Sequence, residues 1–185
     1  EGIFILKNIN DIDKNIRKEF TLFQEYIHSF IINKRKLNLR IYMIVKCVNE
    51  KKNIYISNMG KCIYTNKDYD DKSNNKQVHI SSYKLNQDCY KTRPMTLEEL
   101  KNYIGEINYQ YLFNKIIEKT RKTMLASLNK LCKLNNIKKN IKFQLFGIDF
   151  IFDKNYEPYL LEFNKGPDMS HKSKKDKKLK IKILQ

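Results

Sequence analysis

The strongest pattern in the chain is a pair of apolar runs separated by a polar turn. Phe143–Phe152 is almost continuously apolar and aromatic, and Tyr159–Phe163 is apolar except for Glu162. Residues 153–158 between them read Asp-Lys-Asn-Tyr-Glu-Pro, a turn-forming composition. The pair predicts an antiparallel hairpin. A turn centred between Asn155 and Tyr156 sets Asp149 directly opposite Glu162, with Cβ atoms about 4.5–5.5 Å apart. Asn164 lies two residues beyond Glu162 and therefore points to the same face.

Upstream, Leu37–Val48 reads as a long strand whose alternation puts Lys36, Asn38 and Arg40 on one face. Shorter strands are predicted over residues 2–6, Phe20–Ile27 and Asn53–Ser57, with loops over 28–35 and 66–77. Asn10 or Asp11 can cap a helix over Asp13–Phe20. Thr96, with Glu99 three residues on, is a capping box that opens another helix. A longer helix over Tyr111–Leu134 repeats one packed face through positions 113, 116, 117, 120, 124, 128 and 131. The expectation is an α+β domain, an antiparallel sheet with packed helices, and 185 residues suffice for its own core.

Candidate chemistry sits on the two polar faces. Opposed carboxylates repel in a sheet, and buried ones are costly without a partner. Asp149, Glu162 and Asn164 make an all-oxygen ligand set that suits a hard divalent cation such as Mg²⁺. The other reading is a hairpin face turned to solvent. Lys36 and Arg40 side by side suit phosphate, one as a point charge and one as a fork; a solvated strand face is again the alternative.

The chain carries 37 Lys+Arg against 20 Asp+Glu, a formal net charge of +17. Such a surface attracts polyanions, nucleic acid and acidic protein tails alike. Richness in Lys, Asn and Ile is also what A/T-rich coding produces, which accounts for part of the excess. Lys172, Lys174, Lys175, Lys177, Lys178, Lys180 and Lys182 read as a solvated basic tail, residues 171–185. Cys47, Cys62, Cys89 and Cys132 have no metal-site spacing and fit a reduced intracellular compartment. No apolar run approaches the length of a membrane span. The start at Glu1, without an initiator Met, is expected of a fragment.

Three blocks in order then resemble one family. Gly147-Ile148-Asp149-Phe150, followed by Leu160-Leu161-Glu162-Phe163-Asn164 and Pro167, resembles the end of the tubulin–tyrosine ligase family, built on the ATP-grasp fold. Gln24-Glu25-Tyr26-Ile27 and Lys36 through Tyr42 resemble its "QxYI … KFDLRxY" block, and Val78 through Tyr83 its "HLTNYS" block. The resemblance spans about residues 20–167 and implies that residues 1–170 are the central and carboxy-terminal parts of an ATP-grasp ligase domain, the amino-terminal part of the fold being absent. It implies ATP and Mg²⁺ as cofactors. Gly2, Gln24, Glu25, Tyr26, Ile27, Lys36, Asn38, Ser81 and Ser82 would bind nucleotide. Tyr83 and Lys84 would face substrate, and Asp149, Glu162 and Asn164 would hold metal. Arg40 would be catalytic, stabilising an acyl phosphate and its tetrahedral successor.

The implied reaction joins a free amino acid to a carboxylate on the acidic tail of tubulin, in polyglutamylation or tyrosination, and the implied location is the cytoplasm at microtubules. Departures from the family pattern bear on this. Asn38 stands where the family usually has Asp. Ile63 stands where it has the arginine that grips the amino acid's carboxylate, with Lys61 nearby as a conceivable substitute. These departures favour a rival, a module that has lost turnover and only docks on microtubules. A basic nucleic-acid binder is a second rival, supported by charge and by no reading motif.

Overall fold

The computed structural model describes residues 3–6, 8–49, 51–81, 87–132 and 141–185. Its centre is an antiparallel sheet. Strand β1 (Ile31–Ile32) pairs with the start of β2 (Arg35–Val48); β2 is flanked by β3 (Lys51–Tyr64) and β4 (Ile141–Phe152), and β4 pairs with β5 (Pro158–Lys165). Helices α1 (Lys14–Glu19), α2 (Lys76–His79), α3 (Leu97–Ile104), α4 (Glu106–Leu131) and α5 (Lys174–Leu184) surround it. The fold is α+β, as the mixed pattern predicts.

Alternation along β2 divides the sheet into two faces. Leu37, Leu39, Ile41, Met43, Val45 and Cys47 enter the core with Phe146, Ile148, Phe150 and Phe152 of β4. Leu97, Leu100 and Ile104 of α3, and Leu112, Ile116, Met124 and Leu128 of α4, close this core from one side. The opposite face of β2 carries Lys36, Asn38, Arg40 and Tyr42. Lys36, Arg40 and Tyr42 are buried although the first two are charged.

The predicted capping box is present with both halves: Thr96 Oγ1 accepts from the Glu99 amide, and the Glu99 carboxylate accepts from the Thr96 amide. Helix α4 begins earlier than the periodicity indicates, at Glu106, and its buried stripe runs Leu112, Ile116, Thr120, Met124 and Leu128. Asp13, rather than Asn10 or Asp11, caps α1, accepting from Asn15 and Ile16 amides. No strand forms over Phe20–Ile27: Leu22 and Phe23 are exposed, and this segment has no ladder partner. Residues 3–6 likewise form no strand. Cys47 and Cys132, expected to be thiols, are joined by a disulfide across Cα atoms 5.6 Å apart, and Cys62 and Cys89 are buried free thiols.

The largest difference lies in the lysine run, which forms docked helix α5 rather than a solvated tail. Ser173 caps the helix by accepting from the Asp176 amide. Asp176 is fully buried and gathers the Lys172 amide at 2.9 Å, Lys61 Nζ at 3.0 Å and Lys180 Nζ at 3.6 Å. Leu179 and Lys180 are buried beside it. Burial alone raises a carboxyl pKa, but the Lys172 amide and the two ammonium groups outweigh it and hold Asp176 below the usual carboxylate range. Removing the carboxylate takes the ion-pair partner from buried Lys180 and partly buried Lys61, so Asp176→Ala should destabilise the chain by about 3 kcal/mol, measured by denaturant unfolding at pH 7. Because the folded-state pKa is depressed, this contribution exists above the unfolded value and vanishes as pH falls through the folded one. The gap between the two proteins should therefore narrow in acid.

Candidate active site

The polar face is built outward from Arg40 and Asp149, which are direct cross-strand partners. The guanidinium grips the carboxylate bidentately, Nε donating to Oδ1 and Nη2 to Oδ2, the latter at 2.8 Å. Two glycines make room for it. A Cβ at Gly60 would lie 2.5 Å from the Arg40 carbonyl oxygen, and one at Gly147 would lie 2.9 Å from Arg40 Cδ. Gly60 also sits where the β2–β3 register slips, between the Ile41 and Met43 pairings.

On its other side Asp149 faces Glu162 across β4 and β5, and Asn164 pairs with Gly147. The Asn164 amide donates to Glu162 Oε1 at 2.9 Å and to Asp149 Oδ2 at 3.3 Å. The three predicted side chains therefore converge. The hairpin departs from simple pairing only beyond Asp149, where the register shifts by one and Phe150 faces Leu160. Asp153 organises the turn, its Oδ1 accepting from the Asn155 and Glu157 amides. Burial is the largest influence on Asp149 and pushes its carboxyl up, Arg40 opposing and Glu162 adding to the rise.

This donor set fits a divalent cation. Each Asp149 oxygen keeps a lone pair after Arg40 has bound, Glu162 is exposed to incoming ligands, and an amide flip presents the Asn164 oxygen in place of its nitrogen. Among the described residues no group of three or more His, Cys, Asp and Glu gathers. A cation here would rest on two carboxylates and one amide, with oxygens of water or phosphate completing its shell.

Further along the same face of β2, Lys36 is buried and donates to the Tyr26 hydroxyl at 2.5 Å, its Nζ 4.1 Å from the centroid of that ring. Burial brings the Lys36 pKa down to about 8. Tyr26 and its neighbours Glu25 and Ile27 line an open cleft of about 670 Å³, whose other wall is the β4–β5 turn with Asp153, Asn155 and Tyr159. That volume lies in the range of small-molecule sites. Gln24 is exposed and is not part of this lining. Ser81 forms a bridge with Thr65, whose amide donates to the Lys36 carbonyl, so its segment flanks the start of β2. Gly2, Ser82, Tyr83 and Lys84 lie outside the described residues.

The two departures from the family pattern prove to be one structural unit, because Asn38 and Ile63 are direct cross-strand partners. An amide facing an apolar side chain leaves no orphaned charge. Lys61, on the same face two residues away, stands opposite Arg40 and is bound to Asp176. Arg40, Tyr42, Lys61 and Ile63 line a small cavity of about 40 Å³ with Asp176 and Lys180 of α5. The lysine run does not by itself announce helix α5, although Ser173-x-x-Asp176 has the form of a helix cap and Asp176 and Lys180 have the i,i+4 spacing of an ion pair.

The comparisons with known proteins agree with the resemblance in the motifs. A model of the tubulin-tyrosine ligase family matches residues 1–185. The chain is 25% identical to "Probable alpha-tubulin polyglutamylase Ttll1" of Tetrahymena thermophila, over 100% of its own length and 49% of that protein. It is 24% identical to "Probable tubulin polyglutamylase ttll-9" of Caenorhabditis elegans, over 100% and 47% of the two lengths. With "Tubulin glycylase 3B" of T. thermophila identity is 24%, over 97% of the chain and 16% of the relative. The chain thus spans about half the length, or less, of these curated relatives. Its α+β architecture and antiparallel sheet accord with the ATP-grasp-like fold of the matched family, and with the match running from the first residue to the last, the chain belongs to the tubulin-tyrosine ligase family.

Proposed function

We propose that this chain supplies the central and carboxy-terminal parts of an ATP-dependent ligase that joins an amino acid to a carboxylate on tubulin. The observation that carries the reading is the convergence of Arg40, Asp149, Glu162 and Asn164 on one sheet face, with Lys36 on the same face bound to Tyr26, which lines a nucleotide-sized cleft. Relatives named polyglutamylases and glycylases put glutamate and glycine first among candidate amino acids, with tyrosine the remaining family chemistry. The acidic tail of tubulin is the proposed acceptor, to which a net charge of +17 is complementary. Microtubules in the cytoplasm are the proposed location; among the described residues no helix is long and apolar enough to cross a membrane.

The proposed reaction has two displacements. An oxygen of the acceptor carboxylate attacks the γ-phosphorus of ATP, forming an acyl phosphate and releasing ADP. The amine nitrogen of the amino acid then attacks the acyl carbon, phosphate leaves, and the nitrogen loses a proton to give the amide. Lys36 is assigned to phosphate and Arg40 to the acyl phosphate, where its fixed positive charge meets oxyanion charge as it develops. Asp149, gripped by the Nε–Nη2 fork, holds the guanidinium in place. Asp149, Glu162 and Asn164 are the proposed holders of Mg²⁺, which when bound neutralises phosphate charge. A second reading rests on the Asn38–Ile63 pair: an apolar group in the polar strip favours a module that docks on microtubules without turnover.

Two measurements separate these readings. Full-length protein incubated with tubulin, Mg·ATP and each labelled amino acid should incorporate glutamate or glycine, and Glu162→Gln should abolish incorporation. Failure to incorporate any amino acid, with microtubule co-sedimentation intact, would establish the docking module. ATP affinity should fall in Lys36→Ala by about 1.5–3 kcal/mol, the cost of a lost charge-assisted contact, and an unchanged titration would remove Lys36 from the site.

A further inference from the structure

Lys36 reaches its position through a chain of contacts in which the role of each link can be deduced. The Ser73 backbone carbonyl can only accept, and His79 Nε2 lies 2.7 Å from it, so Nε2 carries the hydrogen. In a neutral ring this makes Nδ1 an acceptor. Tyr26 Oη lies 2.8 Å from Nδ1 and therefore donates to it. The lone pairs of the same oxygen are then turned to Lys36 Nζ, which donates at 2.5 Å. Lys36 to Tyr26 to His79 to Ser73 is one directed line of hydrogen bonds, joining β2, the 20–30 segment, α2 and the loop before α2.

The surroundings reinforce the line. Among the described residues, Lys36 Nζ has no carboxylate within ion-pair distance; its near neighbours are the Tyr26 ring and, at 5.7 Å, the Tyr69 ring. His28 stands edge-on to Tyr26 and faces the Tyr69 hydroxyl at 3.3 Å, while adjacent Arg35 is paired with Asp68. Burial first, and neighbouring Tyr69 second, push the Tyr26 phenol up, so it remains a hydroxyl able to donate to His79. Tyr26 also lines the open cleft. The group that holds the ammonium is thus itself in the wall of the candidate nucleotide site.

We infer that Tyr26 and His79 are positioning residues which hold the Lys36 ammonium, in its charged form, at the place where a nucleotide phosphate meets it. The inference rests on the assignment of Lys36 to phosphate. Tyr26 acts on the ammonium through one oxygen lone pair and the ring face, and His79 acts through Tyr26 by fixing the direction of the hydroxyl. Neither needs to touch the phosphate. Because Lys36 gives up its charge near pH 8, any loosening of this hold appears as a change in the pH dependence of binding rather than as a uniform loss.

The test is ATP affinity of the full-length protein titrated between about pH 6 and pH 9.5, in the wild type and four variants; the range brackets a lysine shifted to about 8. Wild-type affinity should decline through about pH 8 as Lys36 loses its proton. In Tyr26→Phe, which keeps the ring and removes the oxygen, the decline should move about one unit toward acid, a roughly tenfold loss above both midpoints with little loss at the acid end. His79→Ala should move it the same way, and His79→Asn, whose amide oxygen can accept from Tyr26, should restore it. A Tyr26→Phe profile that superimposes on the wild type, or that is lowered equally at every pH, overturns the positioning role. Unchanged affinity in Lys36→Ala at pH 7 overturns the phosphate assignment beneath it, and the two failures are distinguished by which variant is silent.

Discussion

The polar half of this molecule depends on the buried pair of Arg40 and Asp149. Each charge alone would be untenable in the middle of a sheet whose other face is packed core. Together they form a bidentate clamp, and the surrounding strands are shaped to contain it. Gly60 lets the Arg40 backbone pass close to β3, Gly147 leaves space for its side chain, and the β2–β3 register slips beside Gly60 at the crowded point. Once Arg40 has satisfied one side of Asp149, the other side is open to Glu162 and Asn164. A pair of opposed carboxylates, one buried, becomes affordable because one of the two is already neutralised by an arginine.

The same alternation that separates core from site explains where this chain departs from its family. Asn38 and Ile63 appear as two separate defects along the chain, but in the sheet they face each other. Neither is charged, so the pair strands no charge in the sheet. Positive charge remains on that side of the face. Lys61 and Lys180 share Asp176, and Arg40 stands opposite Lys61, so the cavity around Ile63 is still lined by cations. Helix α5 is therefore part of the site's wall, and its lysines divide between one that is buried against Asp176 and several that are exposed.

What could be read from the chain was local. The hairpin was legible because its two runs and turn are contiguous; the pairs next to the turn are offset by one from the expected register, and the slip between Phe150 and Asp149 restores the opposition of Asp149 to Glu162. The capping box of α3 needed only Thr96 and Glu99. What escaped depends on distant partners. Residues 20–27 carry enough apolar side chains for a strand, yet a strand also needs a ladder partner, and this segment pairs with none. Seven lysines near the end read as solvated because nothing in their spacing announces Lys61, 115 residues away, as the partner of Asp176. Cys47 and Cys132, separated by 85 residues, gave no spacing signal. The Tyr26–His79 contact spans 53 residues and joins two blocks whose places in the chain give no sign that they touch.

If Arg40 leaves Asp149 able to share a divalent cation with Glu162 and Asn164, that cation should be detectable by titrating Mn²⁺ into the full-length protein with a non-hydrolysable ATP analogue present and counting bound ions by electron paramagnetic resonance. The wild type should hold Mn²⁺ at this face, and both Asp149→Asn and Glu162→Gln should weaken that binding at least tenfold, the scale of one lost charged ligand. Undiminished Mn²⁺ affinity in both variants would contradict the account and leave the acidic face without a cation to hold.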